Sequence, residues 1–225
     1  MPDSDGVLTT MSGTTDCPPG RFFILRHGET VFNLTHRLQS NTIHTPLTRL
    51  GCEQALQMGA ALKQGLGLAP KVTLHVSDTG RALQTLALIC EELGLDWFAA
   101  RRTMDLKEID MGSWCLRSYA DVEAEFGPIR LPDHLLRPAP DGENYVTIAA
   151  RLRRWLRFVG NEGGDHIVVM HGISSRVLRG IMAGYPVHPE FGAPVAPSLV
   201  QGSIALVADG AEQVFHGSTQ GTEHA

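Results

Sequence analysis

Two uninterrupted apolar runs constrain this chain most: Phe22-Phe23-Ile24-Leu25 and Ile167-Val168-Val169-Met170. Each is too short for a helix and shows no polar alternation, so each reads as a strand buried on both faces. Such strands belong in a mainly parallel sheet with helices packed on either side. The expected fold is therefore α/β, a three-layer α/β/α sandwich around a mostly parallel central sheet.

The rest of the chain fits that frame. Arg21–Leu25 is the first strand, and Thr48 can cap a helix with Ala55, Met58 and Leu62 on its apolar face. Gly65, Gly67 and Pro70 stop that helix, and Lys71–Ser77 reads as a second strand. Ala82, Leu86, Ile89 and Leu93 mark the clearest helix, ended by Gly94. Trp97–Arg101 reads as a weaker strand. Residues 105–142 are irregular and proline-rich, with one short helix near 118–126. A long helix is expected over Glu143–Val159, with Val146, Ala149, Leu152, Leu156 and Val159 inward. Its arginines, Arg151, Arg153, Arg154 and Arg157, are assigned to a solvated face. His166–Met170 is followed by a helix over Ile173–Met182, and Ser203–Ala208 and Gln213–Phe215 read as the last strands.

In open α/β sheets, ligands bind beyond the carboxyl ends of the strands. Three strand ends here carry chemistry: Arg26-His27-Gly28, then Ser77 through Arg81, then His171-Gly172. Glu108 follows in the irregular segment. A phosphoryl group carries close to two negative charges on three oxygens, which suits guanidinium forks such as those of Arg26 and Arg81. A helix beginning just after Gly172 adds N–H groups and a positive dipole end. Neutral imidazole is a competent nucleophile near neutral pH, and a glycine after each histidine removes a Cβ where substrate approaches the backbone.

Arg26-His27-Gly28-Glu29-Thr30, with Asn33 five residues after the glycine, resembles the signature of the histidine phosphatase superfamily, in its phosphoglycerate-mutase-like branch, branch 1. The resemblance runs from about residue 21 to 208. It takes in Arg37 and Gln39, Pro46-Leu47-Thr48 with Gly51, and Ser77 to Arg81-Ala82 with Gln84-Thr85. It continues through Leu106-Lys107-Glu108 with Gly112 and Trp114, then Pro140-Asp141-Gly142-Glu143, and closes on His171-Gly172. It implies that His27 is the nucleophile and becomes phosphohistidine. Arg26, Arg81 and His171 would bind the phosphoryl oxygens, with Asn33, Gln39 and Gly172 in the same pocket. Glu108 would protonate the leaving oxygen and then activate water, burial and the nearby phosphate raising its pKa for the first task. No metal and no cofactor is implied. The chain departs from the family pattern at Asp78, where proline is usual, at Cys115-Leu116 for Glu-Gly, at Phe32 for tryptophan, and at Ser40 within the usual Gln-Gly-x-x-Asp loop.

That reading favours hydrolysis of a small phosphomonoester. Cofactor-dependent phosphoglycerate mutation is the alternative, and a non-catalytic phosphate-binding module the third. The mutase-type Tyr-Gly-x-Leu after the acidic residue is missing, and a pure binder would not need Glu108. Arg117, Arg130, His134 and Arg137 are candidates for a substrate rim. The 225 residues and 43% hydrophobic content suit one domain over 21–216, between an expected disordered leader (1–20) and flexible tail (217–225), with Met1 or Met11 as the start. A net charge of −5 does not advertise nucleic acid or an acidic membrane. The four cysteines form no C-x-x-C pair, and the N-terminus lacks a signal-peptide pattern, so a reduced, cytoplasmic protein is expected. The expected partner is a small phosphorylated substrate, with neither nucleic acid nor membrane. Oligomeric state stays open, a homodimer being one option.

Overall fold

A computed structural model describes residues 16–217. The expected leader as far as residue 15, and the tail from residue 218, lie outside the described residues. Within the described part of the leader, Pro18 is buried and Asp16 pairs with Arg153 at 3.1 Å.

The first strand, β1 (Arg21–Arg26), leads through a loop to a one-turn helix, α1 (Val31–Leu34), capped by Thr30. The helix α2 (Arg49–Leu66) starts at the Thr48 cap and ends at Gly67, in the left-handed region at φ +83°. Next come β2 (Val72–Ser77), α3 (Gly80–Leu93) and β3 (Arg101–Thr103). An irregular stretch holds α4 (Tyr119–Phe126) and a small hairpin, β4 (Arg130–Leu131) with β5 (Leu135–Leu136). Then follow α5 (Tyr145–Val159), β6 (Asp165–Met170), α6 (Gly172–Met182), β7 (Ile204–Ala208) and β8 (Ala211–His216).

The main sheet has the order β3-β2-β6-β1-β7-β8. β1 runs parallel to β6, β6 to β2 and β2 to β3, whereas β7 is antiparallel to both its neighbours. Side chains alternate across β1. Phe22 and Ile24 join a core with α5, α6 and the 106–139 segment, while Phe23 and Leu25 join a second core with α2 and α3. Both faces are thus covered, as continuous apolar runs require, and the sandwich has three layers.

Three local expectations change. Trp97–Ala99 is a 3-10 turn, because the Asp96 carboxylate caps it by accepting from the Phe98 amide; the strand falls later, at Arg101–Thr103. Val146 is exposed, and Arg151, assigned above to solvent, is only 5% exposed. Arg151 turns inward because Glu143 holds its guanidinium at 2.8 Å and 3.1 Å, and the carbonyl of Asp105 accepts a third bond at 2.6 Å. No helix among the described residues is long and apolar enough to cross a membrane.

Candidate active site

Parallel register places the carboxyl ends of β1, β2 and β6 at one edge of the sheet, with Arg26 directly opposite Met170. The chain leaves β1 at His27, whose amide donates to the Met170 carbonyl at 3.0 Å. It leaves β6 at His171, the residue immediately before α6. Two imidazoles are thereby delivered side by side, their ring centroids 5.2 Å apart.

Hydrogen bonding fixes the state of each ring. His27 Nδ1 lies 2.7 Å from the Gly28 carbonyl, which only accepts, so Nδ1 carries the proton. Nε2 therefore keeps its lone pair, and Arg81 Nε donates to it at 3.2 Å. The same Nε donates to His171 Nδ1 at 3.2 Å, while His171 Nε2 meets the Ser77 hydroxyl at 2.7 Å. Burial, reinforced by the charge of Arg81 and then Arg26, holds the His27 pKa well below 6.5. Burial and Arg81 do the same for His171. Both rings are neutral near physiological pH.

Arg81 is itself fully buried, and burial lowers its pKa to about 10. Its Nη1 donates to the Thr42 carbonyl and the Thr45 hydroxyl, both at 2.9 Å, and Nη2 to the Ser40 carbonyl at 2.6 Å. Five N–H groups are available on a guanidinium. One Nη2 hydrogen and the shared Nε–H thus form the edge that can grip a phosphoryl oxygen. Arg26 stands on the other side. A Cβ built on Gly172 would lie 3.4 Å from both the Arg26 guanidinium carbon and Glu108 Oε2, so arginine and carboxylate meet over that glycine.

Glu108 is set by main-chain donors. Its Oε1 accepts from Ile109 at 3.0 Å and Ser174 at 3.0 Å, and its Oε2 from Ile173 at 3.1 Å. Two of these donors are the free amides at the N-terminus of α6, which favour an acidic side chain. The Pro140-Asp141-Gly142-Glu143 segment braces this loop, Asp141 accepting from Ser113 and Glu143 from Asp110 as well as Arg151.

Asn33 and Gln39 form the wall beside His27. Asn33 Oδ1 accepts from the Gln39 and Gln201 side-chain amides, both at 3.2 Å, and Gln39 Oε1 accepts from the Thr30 hydroxyl at 2.9 Å. Gln201 also donates to the His27 carbonyl at 3.2 Å. Sequence reasoning missed Gln201, since it lies in an unpatterned stretch before β7. The structure therefore brings His27, Arg26, Arg81, His171, Gly172 and Glu108 into one cluster, with Asn33 and Gln39 on its border. Of the candidate rim, Arg117 and Arg130 are committed to ion pairs with Glu125 and Glu123, both at 2.6 Å, and Arg137 to the Phe126 carbonyl. Asp78 is exposed.

Gly28 has a different reason from the one expected. A Cβ there would overlap the Gly51 carbonyl, and one on Gly51 would overlap Glu29. These two glycines let the loop after β1 and the start of α2 touch backbone to backbone.

A parallel sheet collecting two neutral histidines, two arginines and a carboxylate at its strand ends defines a phosphoglycerate-mutase-like α/β protein. The family model for the histidine phosphatase superfamily (branch 1) matches residues 22–197, and the chain belongs to that family. It is 30% identical over 176 residues to the "Probable phosphoglycerate mutase GpmB" of Proteus mirabilis, covering 75% of this chain and 77% of that one. The protein of the same name from Enterobacter sp. is 31% identical over 173 residues, with the same coverage. Among solved structures, the mycobacterial glucosyl-3-phosphoglycerate phosphatase superposes with a TM-score of 0.71 at 24% identity, over 88% of this chain and 100% of that one. The alpha-ribazole phosphatase of Shigella flexneri gives 0.66 at 19%, over 91% and 97%.

Proposed function

We propose that the chain hydrolyses a small phosphomonoester through a phosphohistidine at His27. The observation that carries this reading is the tautomer of His27: with Nδ1–H held by Gly28, the Nε2 lone pair faces Arg81 and the phosphate site. Nε2 attacks phosphorus, and the P–O bond to the leaving group breaks. Glu108, in its acid form, gives its proton to the departing oxygen. Water then attacks phosphorus as Glu108 takes its proton, the P–N bond breaks, and phosphate leaves with the Nε2 lone pair restored. Arg26 and Arg81 stabilise charge as it builds on the phosphoryl oxygens.

The test is turnover of an aryl phosphate, with trapping of an acid-labile, base-stable phosphoenzyme. His27→Ala loses both if the reading holds. An undiminished rate in that variant overturns it. The name of the curated relatives favours a second reading, phosphoglycerate mutation. Isomerisation of 3-phosphoglycerate stimulated by 2,3-bisphosphoglycerate would decide for it, and hydrolysis without stimulation for the first.

A further inference from the structure

A cavity of about 60 Å³ lies between the turn after α1, the start of α4 and the β4–β5 hairpin. Leu131, Leu135 and Leu136 line it together with Tyr119, His36 and His134. Arg130 also reaches its wall, but Glu123 neutralises that guanidinium, at 3.0 Å from Nε and 2.6 Å from Nη2. Among the described residues, no carboxylate lines the space. The Tyr119 amide donates to the His36 carbonyl at 3.0 Å and ties two sides of the wall together. His36 and His134 hold their places in the left-handed region, at φ +51° and +56°. Strained non-glycine residues of this kind gather where ligands are bound.

The cavity adjoins the phosphoryl site on the side where a leaving group must stand. In-line displacement puts the leaving oxygen opposite Nε2 of His27, within reach of Glu108. Tyr119 marks that side. Burial pushes its phenol above the ordinary range, and of the charges that act on it Arg26 and Glu108 come first. His134 lines this cavity and also a narrower one that contains Arg26 and Gly172, so the two spaces share an edge. Hydroxyl or carboxylate groups placed here would give up water against three leucine side chains without an unpaired charge in return. Hydrocarbon gains from the same burial. A cavity of about 150 Å³ holds benzene, so this one has room for a branch of roughly three carbons.

We propose that this cavity receives an apolar branch of the leaving group, so that the substrate is the phosphomonoester of an alcohol with a short, branched hydrocarbon end. The proposal rests on the hydrolase reading above.

The test compares 3-methylbutyl phosphate with glycerol 3-phosphate. Both are primary alkyl esters with equally many heavy atoms beyond the ester oxygen, and they differ in hydrocarbon against hydroxyl. The wild-type protein is expected to favour the hydrocarbon ester in kcat/KM by roughly ten- to fifty-fold, the worth of burying two or three carbons. Leu131→Trp, which fills the cavity from a half-buried position, should bring that ratio toward one. Leu131→Asn, a smaller change, should lower it too. A wild-type ratio near one, or folded variants that keep the wild-type ratio, overturns the proposal. Calorimetric binding of both esters to His27→Ala separates the pocket from the hydrolase reading, since it needs no turnover. Clearly tighter binding of 3-methylbutyl phosphate there supports the pocket even if neither ester is hydrolysed, and equal binding removes it.

Discussion

Ser40 joins the two halves of the site: its carbonyl receives Arg81 Nη2 at 2.6 Å, and its hydroxyl accepts from the Met111 amide at 2.8 Å. The same hydroxyl donates to the Ile109 carbonyl at 3.0 Å. The loop that carries Glu108 is thus tied to the residue that holds the guanidinium of Arg81. Ser40 does this from the left-handed region, at φ +48°, where the family pattern has glycine. A side chain there costs about 1–2 kcal/mol, and the two hydroxyl bonds offset it.

Replacing Ser40 separates these contributions. Ser40→Ala keeps the strain and strands two buried main-chain groups, whereas Ser40→Gly strands the same groups but relieves the strain. The alanine variant is expected to be less stable than the glycine variant by about 1 kcal/mol. Urea denaturation of both measures this, and equal midpoints would remove the strain argument. Both variants should also slow turnover, because Glu108 loses its tether.

Glu108→Gln keeps the shape of the side chain but removes the transferable proton. General acid catalysis contributes roughly 10²–10⁴-fold where the leaving group needs a proton. An alkyl phosphate should therefore lose that much in kcat, and p-nitrophenyl phosphate far less. Equal losses for the two esters would argue that Glu108 only shapes the loop.

The two His-Gly pairs should respond oppositely to alanine. At Gly28 the new methyl overlaps the Gly51 carbonyl, a backbone atom that cannot step aside. Gly28→Ala should cost at least the 1–3 kcal/mol typical of overpacking and lower expression. At Gly172 the nearest atoms stand 3.4 Å away, an ordinary contact, at the first position of a helix. Gly172→Ala should fold normally, and its thermal midpoint, compared with that of Gly28→Ala, checks the contrast.

That contrast also marks what was legible beforehand. The motif named Gly28, but the atom that excludes a side chain belongs to Gly51, and no local pattern connects the two. The apolar runs at 22–25 and 167–170 carried the sheet because burial on both faces leaves its mark in every residue of a strand. Arg151 was illegible for the opposite reason. Helical periodicity places it beside the apolar stripe, and only Glu143 and the Asp105 carbonyl decide that it turns in. The strand ends could be listed from sequence, whereas their hydrogen bonds could not. Gln201 has no pattern of its own, and its value lies entirely in reaching the His27 carbonyl.

His27, the proposed nucleophile, should stay deprotonated through mildly acidic pH. Burial and two arginines hold His27 well below 6.5, so falling pH protonates it only far under its ordinary range. The acid limb of kcat/KM, corrected for the ester's own ionisation, should therefore lie well below 6.5. A limb at 6.5 that disappears in no other histidine variant would contradict the geometry at Nε2.

Far from the site, a second histidine pair should govern acid stability. His75 is fully buried, its Nε2 3.2 Å from His166 Nδ1 and its ring edge-on to Trp155. Burial first, then the neighbouring His166 and Arg101, lower its pKa to about 3. Below pH 6.5 the unfolded chain binds a proton at this position and the folded chain does not. Folding stability therefore falls as pH drops from about 6.5 toward 3, by up to about 1.4 kcal/mol per unit from this one group. Above 6.5 neither state binds the proton, and the dependence vanishes. His75→Gln removes the titration while keeping a hydrogen-bonding side chain. Its stability, measured by urea unfolding at pH 7 and pH 5, should fall less between the two than that of the wild type. Parallel losses in both proteins would show that His75 is protonated in the folded state and that the pair does not resist acid.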